Sequence, residues 1–286
     1  MIGRPISRIK RVVLSALSVL LLLLSYTWIS HRQHQINPQD TTIPSWGQLA
    51  EGAKKFTQPD RKGHRWLIED SIATGKRLAA GISLGIIFGF LIGMFMGCIA
   101  SVEAFLQPPI SLLAKVPQTA ALAVYFVFFG TGMKMYVAMI AFGVIPALAV
   151  TVYLAIKDIP SEMLDKAYTL GASHFETAYE VVFKQVLPKF IDAVRLCIGP
   201  AIVFLIAAEM VVGDVGFGYR IRLQFKLTNM NVVYPYLVFL AGFGYLLDYG
   251  LRFLQSKICP WYQNCLLYTS DAADEGLGVD LGGRRI

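Results

Sequence analysis

Residues able to do chemistry are few in this 286-residue chain, and their spacing argues against most reactions. His31, His34, His64 and His174 all lie in polar stretches, so no H-E-x-x-H pair can form inside an apolar window. Gly75-Lys76-Arg77 is the nearest approach to a phosphate-cradling loop. It lacks both the upstream glycine and the Ser/Thr after the lysine. Cys98, Cys197, Cys259 and Cys265 form no C-x-x-C pair, so neither a disulfide nor a metal site is expected. No catalytic residue and no metal ligand is assigned.

The polar residues are concentrated instead in one run, 165–188, between two apolar stretches. Pro160 stops the preceding helix. Ser161 can cap a short new helix, with Glu162 and Asp165 in its first turns. Gly171 stands where that helix must end, because glycine reaches the αL conformation without a steric penalty. Ser173 and Glu176 have the spacing of a capping box and open a second helix. Pro188 marks its entry into the next apolar stretch.

The chemistry on offer in this run is recognition. Ala167 and Ala172 let the backbone approach a partner, and Tyr168, Leu170 and Phe175 offer bulk to a pocket. Lys157, Lys166, Lys184 and Lys189 face Asp158, Glu162, Asp165, Glu176 and Glu180 in number. Such a mixed surface suits a protein partner better than anionic lipid, which selects strongly positive patches. The plain alternative is a solvated loop between helices.

The elements that must position this run are membrane spans. The chain is 55% hydrophobic and 16% charged, against about 25% charge in an average soluble protein. Charge-free windows cover 12–30, 78–102, 116–133, 135–156 and 227–247, and 196–208 continues past Glu209 to 213. Each approaches the roughly 20 apolar residues that a membrane-crossing helix needs, so six spans are predicted. The first window exceeds a signal-peptide core and no A-x-A site follows, so an uncleaved span is expected, with Tyr26 and Trp28 anchoring its far end.

Orientation follows from charge. Arg4, Arg8, Lys10 and Arg11 place the N-terminus in the cytoplasm, and six crossings return the C-terminus there. Loop 157–190 is then cytoplasmic, while 31–69 and 213–226 lie outside. Arg61, Lys62, Arg65, Arg220 and Arg222 sit on that outer side, so the N-terminal cluster decides. The net charge of +7 is spread over short loops, which reads as topology signals rather than nucleic-acid binding.

Four further features bear on mechanism. Glu209, near the outer end of a span, is a functional candidate by position. Alternatively it packs inside the bundle, bonded to Ser/Thr or backbone, and helps hold an outer gate. Lys115, Gln118 and Thr119 surround Pro117, where a broken helix would line a pathway; the alternative is a kink filled by neighbours. Gly81, Gly85, Gly89, Gly93 and Gly97 form a small-xxx-small face, expected to pack within the subunit rather than across a dimer. Trp46 and Trp66 flank an outer polar segment with an interfacial helix expected at 46–56. Residues 265–286 resemble, when back-translated, transposon-based sequencing adapters followed by a flow-cell primer. They are expected to be read-through rather than native protein, a disordered tail being the alternative.

Asp165, Lys166 and Ala167, then Gly171 and an apolar ending at Pro188, resemble the EAA loop of ABC importer permeases. Lys166 stands where that family has a small residue, and Lys184 where it has a first proline. The surrounding order is similar to the nitrate/taurine/aliphatic-sulfonate branch: Ile43-Pro-Ser-Trp46, Pro108, Lys115-Val-Pro-Gln-Thr-Ala120, a span ending Phe129-Gly130, Ala208-Glu209, and Gly213-Asp-Val-Gly-Phe-Gly-Tyr219. The likeness covers roughly residues 43–258.

The resemblance implies an all-α membrane protein with six transmembrane helices. Five would form a type I importer core at 76–100, 104–129, 133–156, 191–213 and 231–254, plus one N-terminal helix. The organisation would be 1–30 tail and first helix, 31–69 periplasmic segment, 70–264 permease core and 265–286 non-native. A coupling loop carrying Glu162, Asp165, Lys166, Ala167, Leu170, Gly171, Ala172, Phe175 and Pro188 would dock on a cytoplasmic ABC ATPase dimer. Glu209, Gly213, Gly216, Gly218 and Tyr219 would form an outer-loop motif. Lys115, Pro117, Gln118 and Thr119 would be pathway candidates.

The same resemblance implies partners: a second permease copy as homodimer, a periplasmic solute-binding protein and the lipid bilayer, with no nucleic acid. No cofactor would be bound directly, ATP being used by the ATPase, and the chain itself would not be an enzyme. It would sit in the bacterial inner membrane, multi-pass, with both termini cytoplasmic. Its solute would be a small compound of the nitrate, sulfonate or taurine kind. The alternative is an ion-coupled secondary transporter. That class predicts mid-span ionisable residues, which only Glu209 approaches, and inverted repeats, which are not visible.

Overall fold

The computed structural model describes residues 7–38, 40–59 and 63–262, so the segment 265–286 lies outside the described residues. Among the described residues there are helices and no strand. The helices are α1 (Arg8–Ile36), α2 (Trp46–Thr57), α3 (Trp66–Cys98), α4 (Ala100–Leu113), α5 (Leu122–Phe129), α6 (Met133–Lys157) and α7 (Ser161–Thr169). Then follow α8 (His174–Val212), α9 (Phe217–Lys226) and α10 (Met230–Ile258). Five of them, α1, α3, α6, α8 and α10, are long and apolar enough to cross a membrane.

The span predicted at 104–129 is divided. Pro117 has no N–H to donate and disfavours helical geometry at Val116. The helix therefore closes early: Lys115 N–H bonds Leu112 O at 3.0 Å and Val116 N–H bonds Leu113 O at 3.2 Å, tightening the last turn of α4. The chain resumes as α5 at Leu122.

By contacts, the described chain falls into two compact units. One takes its residues from Met1–Ile72 and Val215–Leu240, the other from Ala73–Asp214 and Ala241–Ile286. In the first, α1 buries none of its apolar window, as a lipid-facing helix would. Its far end is tied down by polar bonds. Tyr26 donates to Pro44 O at 2.7 Å, Ser30 donates to the same carbonyl at 3.1 Å, and Trp46 Nε1 donates to Thr27 Oγ1 at 3.1 Å. Ser45 and Gln48 form a capping box that starts α2, so a helix does stand where one was expected at 46–56. Gly52 of α2 backs onto the Asn231 carbonyl so closely that a Cβ would overlap it, and Phe56 packs edge-on against Tyr236.

The second unit is organised by α6, half of whose apolar window is buried. The glycine stripe of α3 lies along it. Gly81, Gly85, Gly89, Gly93 and Gly97 receive Ile140, Val144, Leu148, Val152 and Ile156 in turn, four residues per step on both helices. The two helices therefore run parallel in close contact, and the stripe packs within the subunit. Inside a membrane lipid is as apolar as leucine, so such close backbone approach, not hydrophobic transfer, holds helices together.

At Gly89 an added Cβ would lie 2.8 Å from Leu148 Cβ and 3.3 Å from Ile145 O. Gly89→Leu is expected to destabilise the unit by about 1–3 kcal/mol through overpacking. Gly75→Ala, where no atom lies within 4 Å of the added Cβ, should be nearly neutral. Thermal unfolding of the two variants in detergent, followed by size-exclusion chromatography, checks the contrast.

Candidate coupling turn and outer charge clusters

The run 161–188 folds around Gly171. Here φ is +86°, the left-handed conformation in which a side chain is strained. Gly171 N–H bonds Tyr168 O at 2.9 Å and Ala172 N–H bonds Ala167 O at 3.1 Å, a complete Schellman stop for α7. Ser173 then opens α8: Glu176 N–H donates to Ser173 Oγ at 3.3 Å, and Ser173 N–H donates to Glu176 Oε2 at 2.8 Å. One expectation is corrected. Ser161 is the first helical residue, Pro160 holds the cap position, and no side chain caps α7. Proline at that position already has the extended ψ of 135° that a cap requires, so no hydroxyl is needed to turn the chain.

The turn presents its bulk outward. Leu170 and Phe175 are each 80% exposed, with Tyr168, Tyr179 and Met163 exposed around them. Glu162, Asp165 and Lys166 are exposed as well, while Ala167 and Ala172 are half-buried. Pro188 is different: it is buried inside α8, which runs on through it without a break. Its carbonyl accepts from Gln255 Nε2 of α10 at 3.1 Å. Upstream of it, Thr177–Phe183 is wound as a wider π-helix.

At the break after α4, Gln118 alone of the four pathway candidates is buried. Its amide donates to Val116 O at 3.2 Å, and Tyr125 OH donates to its Oε1 at 2.5 Å. Lys115, Pro117 and Thr119 are exposed. Thr119 borders a groove of about 530 Å³ lined also by Ala120, Leu122, Ala123, Phe126, Val211 and Val212.

Glu209 is fully buried in the larger unit. It accepts from Thr74 Oγ1 at 2.9 and 3.0 Å and from Arg77 Nη1 at 2.7 Å. Arg77 lies over the Tyr136 ring at 4.3 Å and reaches Asp214 at 3.7 Å. Gly213 follows one turn later. A Cβ there would stand 2.5 Å from Glu209 O, so only glycine fits.

The smaller unit holds Gly216, Gly218 and Tyr219, the rest of the expected motif. Gly216 has φ +121° and donates its N–H to Asp70 at 3.0 Å. Asp70 is fully buried and also accepts from Arg220 Nε at 3.0 Å and Tyr236 OH at 3.1 Å. Arg220 in turn covers Trp66 at 4.6 Å. Phe217 and Gly218 are buried and Tyr219 is half-buried. In the segment before α2, Thr42 N–H donates to Asp40 at 2.9 Å and holds that carboxyl below the usual range.

A G-x-S-x-G string does occur, Gly81-Ile-Ser83-Leu-Gly85, but it lies in mid-helix on α3. A nucleophile elbow needs a strand-to-helix turn to present its serine. Ser83 is exposed on the face of α3 away from the glycine stripe, beside Val194, Ile198 and Phe243, with no strained turn to present it as a nucleophile.

Residues 81–258 match the family described as binding-protein-dependent transport system inner membrane component. The chain belongs to that family. It is the inner-membrane permease subunit of an ABC importer. The chain is 26% identical to the taurine transport system permease protein TauC of Escherichia coli (strain K12), over 90% of this chain and 92% of that protein. It is 26% identical to the aliphatic sulfonates transport permease protein SsuC of Bacillus subtilis (strain 168), a putative assignment in that organism, over 65% and 67%. The fold is similar to the MetNI methionine ABC transporter in its inward-facing conformation, with TM-score 0.58 and 18% identity, covering 70% of this chain and 98% of that one.

In this permease the sequence located the turn and offered a Ser/Thr bond to a packed Glu209, which Thr74 supplies, but it named no charged partner of its acids. Glu209 was visible because it interrupts an apolar window; Arg77 and Thr74 lie 132 and 135 positions away from it. Asp70 carried no such signal, since it sits in a polar stretch with Glu69 beside it. Nor does the glycine at 216 point to it, since its backbone N–H could be met by any acceptor and is met here by Asp70. Glu209→Ala strips a buried guanidinium of its carboxylate and is expected to cost about 3–5 kcal/mol. Replacing Arg77 and Glu209 together by methionine should cost far less. Unfolding of the purified permease measures both.

Proposed function

We propose that this permease carries a small sulfonate-bearing solute of the taurine class inward, driven by a separate cytoplasmic ABC ATPase that docks on the turn at Gly171. The solute reading rests on the relatives that move taurine and aliphatic sulfonates. The docking reading rests on one observation: Leu170 and Phe175, each 80% exposed, project from a turn whose shape is set by a Schellman stop and a capping box. Bulky apolar side chains held rigidly in water lose little freedom on docking, which favours an interface.

In this reading α4 and α5 together make the sixth crossing, and the N-terminus, the turn and the C-terminus lie in the cytoplasm. Two copies of the permease enclose the pathway, with Lys115, Pro117, Gln118 and Thr119 near it. Glu209, Gly213, Gly216, Gly218 and Tyr219 shape the outer end, where a periplasmic binding protein delivers the solute. ATP closes the two ATPase subunits, their movement draws the turns together, and the bundle opens outward.

Two outcomes test this. Gly171→Arg, which puts a long side chain on a left-handed backbone at the docking surface, should abolish copurification of the ATPase while the detergent-solubilised permease still elutes as a folded species. Undiminished copurification would sink the docking assignment. Uptake of labelled taurine into proteoliposomes holding permease, ATPase and binding protein should exceed uptake of nitrate. The reverse order would move the permease to the nitrate side of its branch.

A further inference from the structure

The junction between α6 and α7 carries two adjacent, oppositely charged residues that reach different helices. Lys157 Nζ lies 2.7 Å from Glu103 Oε2 on α4. Asp158 Oδ2 accepts from Lys189 Nζ on α8 at 3.1 Å. Tyr153, one turn back on α6, donates to the other Glu103 oxygen at 2.5 Å, so both carboxylate oxygens are engaged.

α4 is then fixed to α6 at a second level, where Ile110 and Leu106 pack with Ala149 and Val150. As numbers rise along α4 they fall along α6, so the two helices are antiparallel. A helix of 14 residues is about 21 Å long. Glu103 stands at one end of it, and the broken segment that holds Gln118 against Tyr125 follows the other.

We propose that Glu103 and Lys157 are the positioning pair through which displacement of α7 is passed into α4 and so to the break at Lys115–Thr119. This rests on the docking of the ATPase at the Gly171 turn. The pair is suited to the task by where it sits. Lys157 is the last residue of α6, and the next helix begins at Ser161, so a pull on α7 that passes the Asp158 linker enters α6 at Lys157. Both side chains are partly exposed, 46% for Lys157 and 21% for Glu103, so the pair adds little to static stability and its loss should leave the fold standing. Asp158 and Lys189 tie the same junction to α8, and α4 would lose its half of the signal alone.

The test labels exposed Thr119→Cys with a spin probe, in a background without native cysteines, in the assembled complex with its ATPase. The spectrum is read before and after ATP-vanadate trapping, a measurement that needs no solute. With Glu103 and Lys157 intact, trapping should change the probe's surroundings. Glu103→Gln should keep ATPase copurification and basal hydrolysis while reducing the trapped fraction of the probe signal about tenfold, the size of an ordinary coupling between sites. Exchanging the charges, Glu103→Lys with Lys157→Glu, should restore it. A normal response in Glu103→Gln overturns the proposal, and so does an exchanged pair that stays silent. If the intact pair gives no response although ATPase copurifies, the pair falls. If the ATPase does not bind, the docking reading falls and takes the pair with it.

Discussion

Close approach of two backbones is the constraint on which the larger unit depends. Glycines at every fourth position of α3 let Ile140, Val144, Leu148, Val152 and Ile156 of α6 sit against bare backbone. In water such a seam would be assisted by the expulsion of solvent. In a bilayer the competing partner for each of these side chains is an acyl chain of equal polarity, so only denser packing favours the helix neighbour. The seam places α6 at the centre, and α4, α5 and α8 then pack on the faces that remain.

Charge is distributed around that seam according to depth. Near the end of α8, Glu209 is satisfied by Thr74 and Arg77 from the first turns of the α3 span. Half-way along α8, Arg195 joins Asp192 at 2.7 Å and Asp248 of α10 at 2.9 Å. Apolar residues fill the length between. A buried pair such as Arg77–Glu209 does not add much stability over a well-packed apolar substitute, but leaving one partner alone is costly. A slip of one turn along α8 would break Arg77–Glu209 and Arg195–Asp248, while Arg195–Asp192, both on α8, would persist.

The sequence carried the helical class, five of the six predicted spans and the turn because each is a local pattern. Apolar windows, the Gly171 stop and the Ser173–Glu176 box are written within a few residues of one another. The glycine stripe was legible too, although its recipient on α6 was not. Pairings across the fold left no local trace: nothing near Asp70 announces Arg220 and Tyr236, and nothing near Glu103 announces Lys157. The division of 104–129 into two helices had a local cause in Pro117, with Lys115, Gln118 and Thr119 beside it, but no local pattern marks how far the segment unwinds before Leu122. The π-helical stretch at Thr177–Phe183 likewise has no pattern that separates it from an α-helix.

The turn at Gly171 separates two kinds of information. Its path is fixed by backbone bonds from Gly171 and Ala172 and by the Ser173–Glu176 box, none of which involves the side chains of Leu170 or Phe175. The shape of the element and the identity it shows to a partner are therefore encoded at different positions. With an ATPase docked here as proposed, substitutions at 170 and 175 would retune which motor is accepted while the turn keeps its form, so a permease of this design could change its motor without refolding the element that meets it.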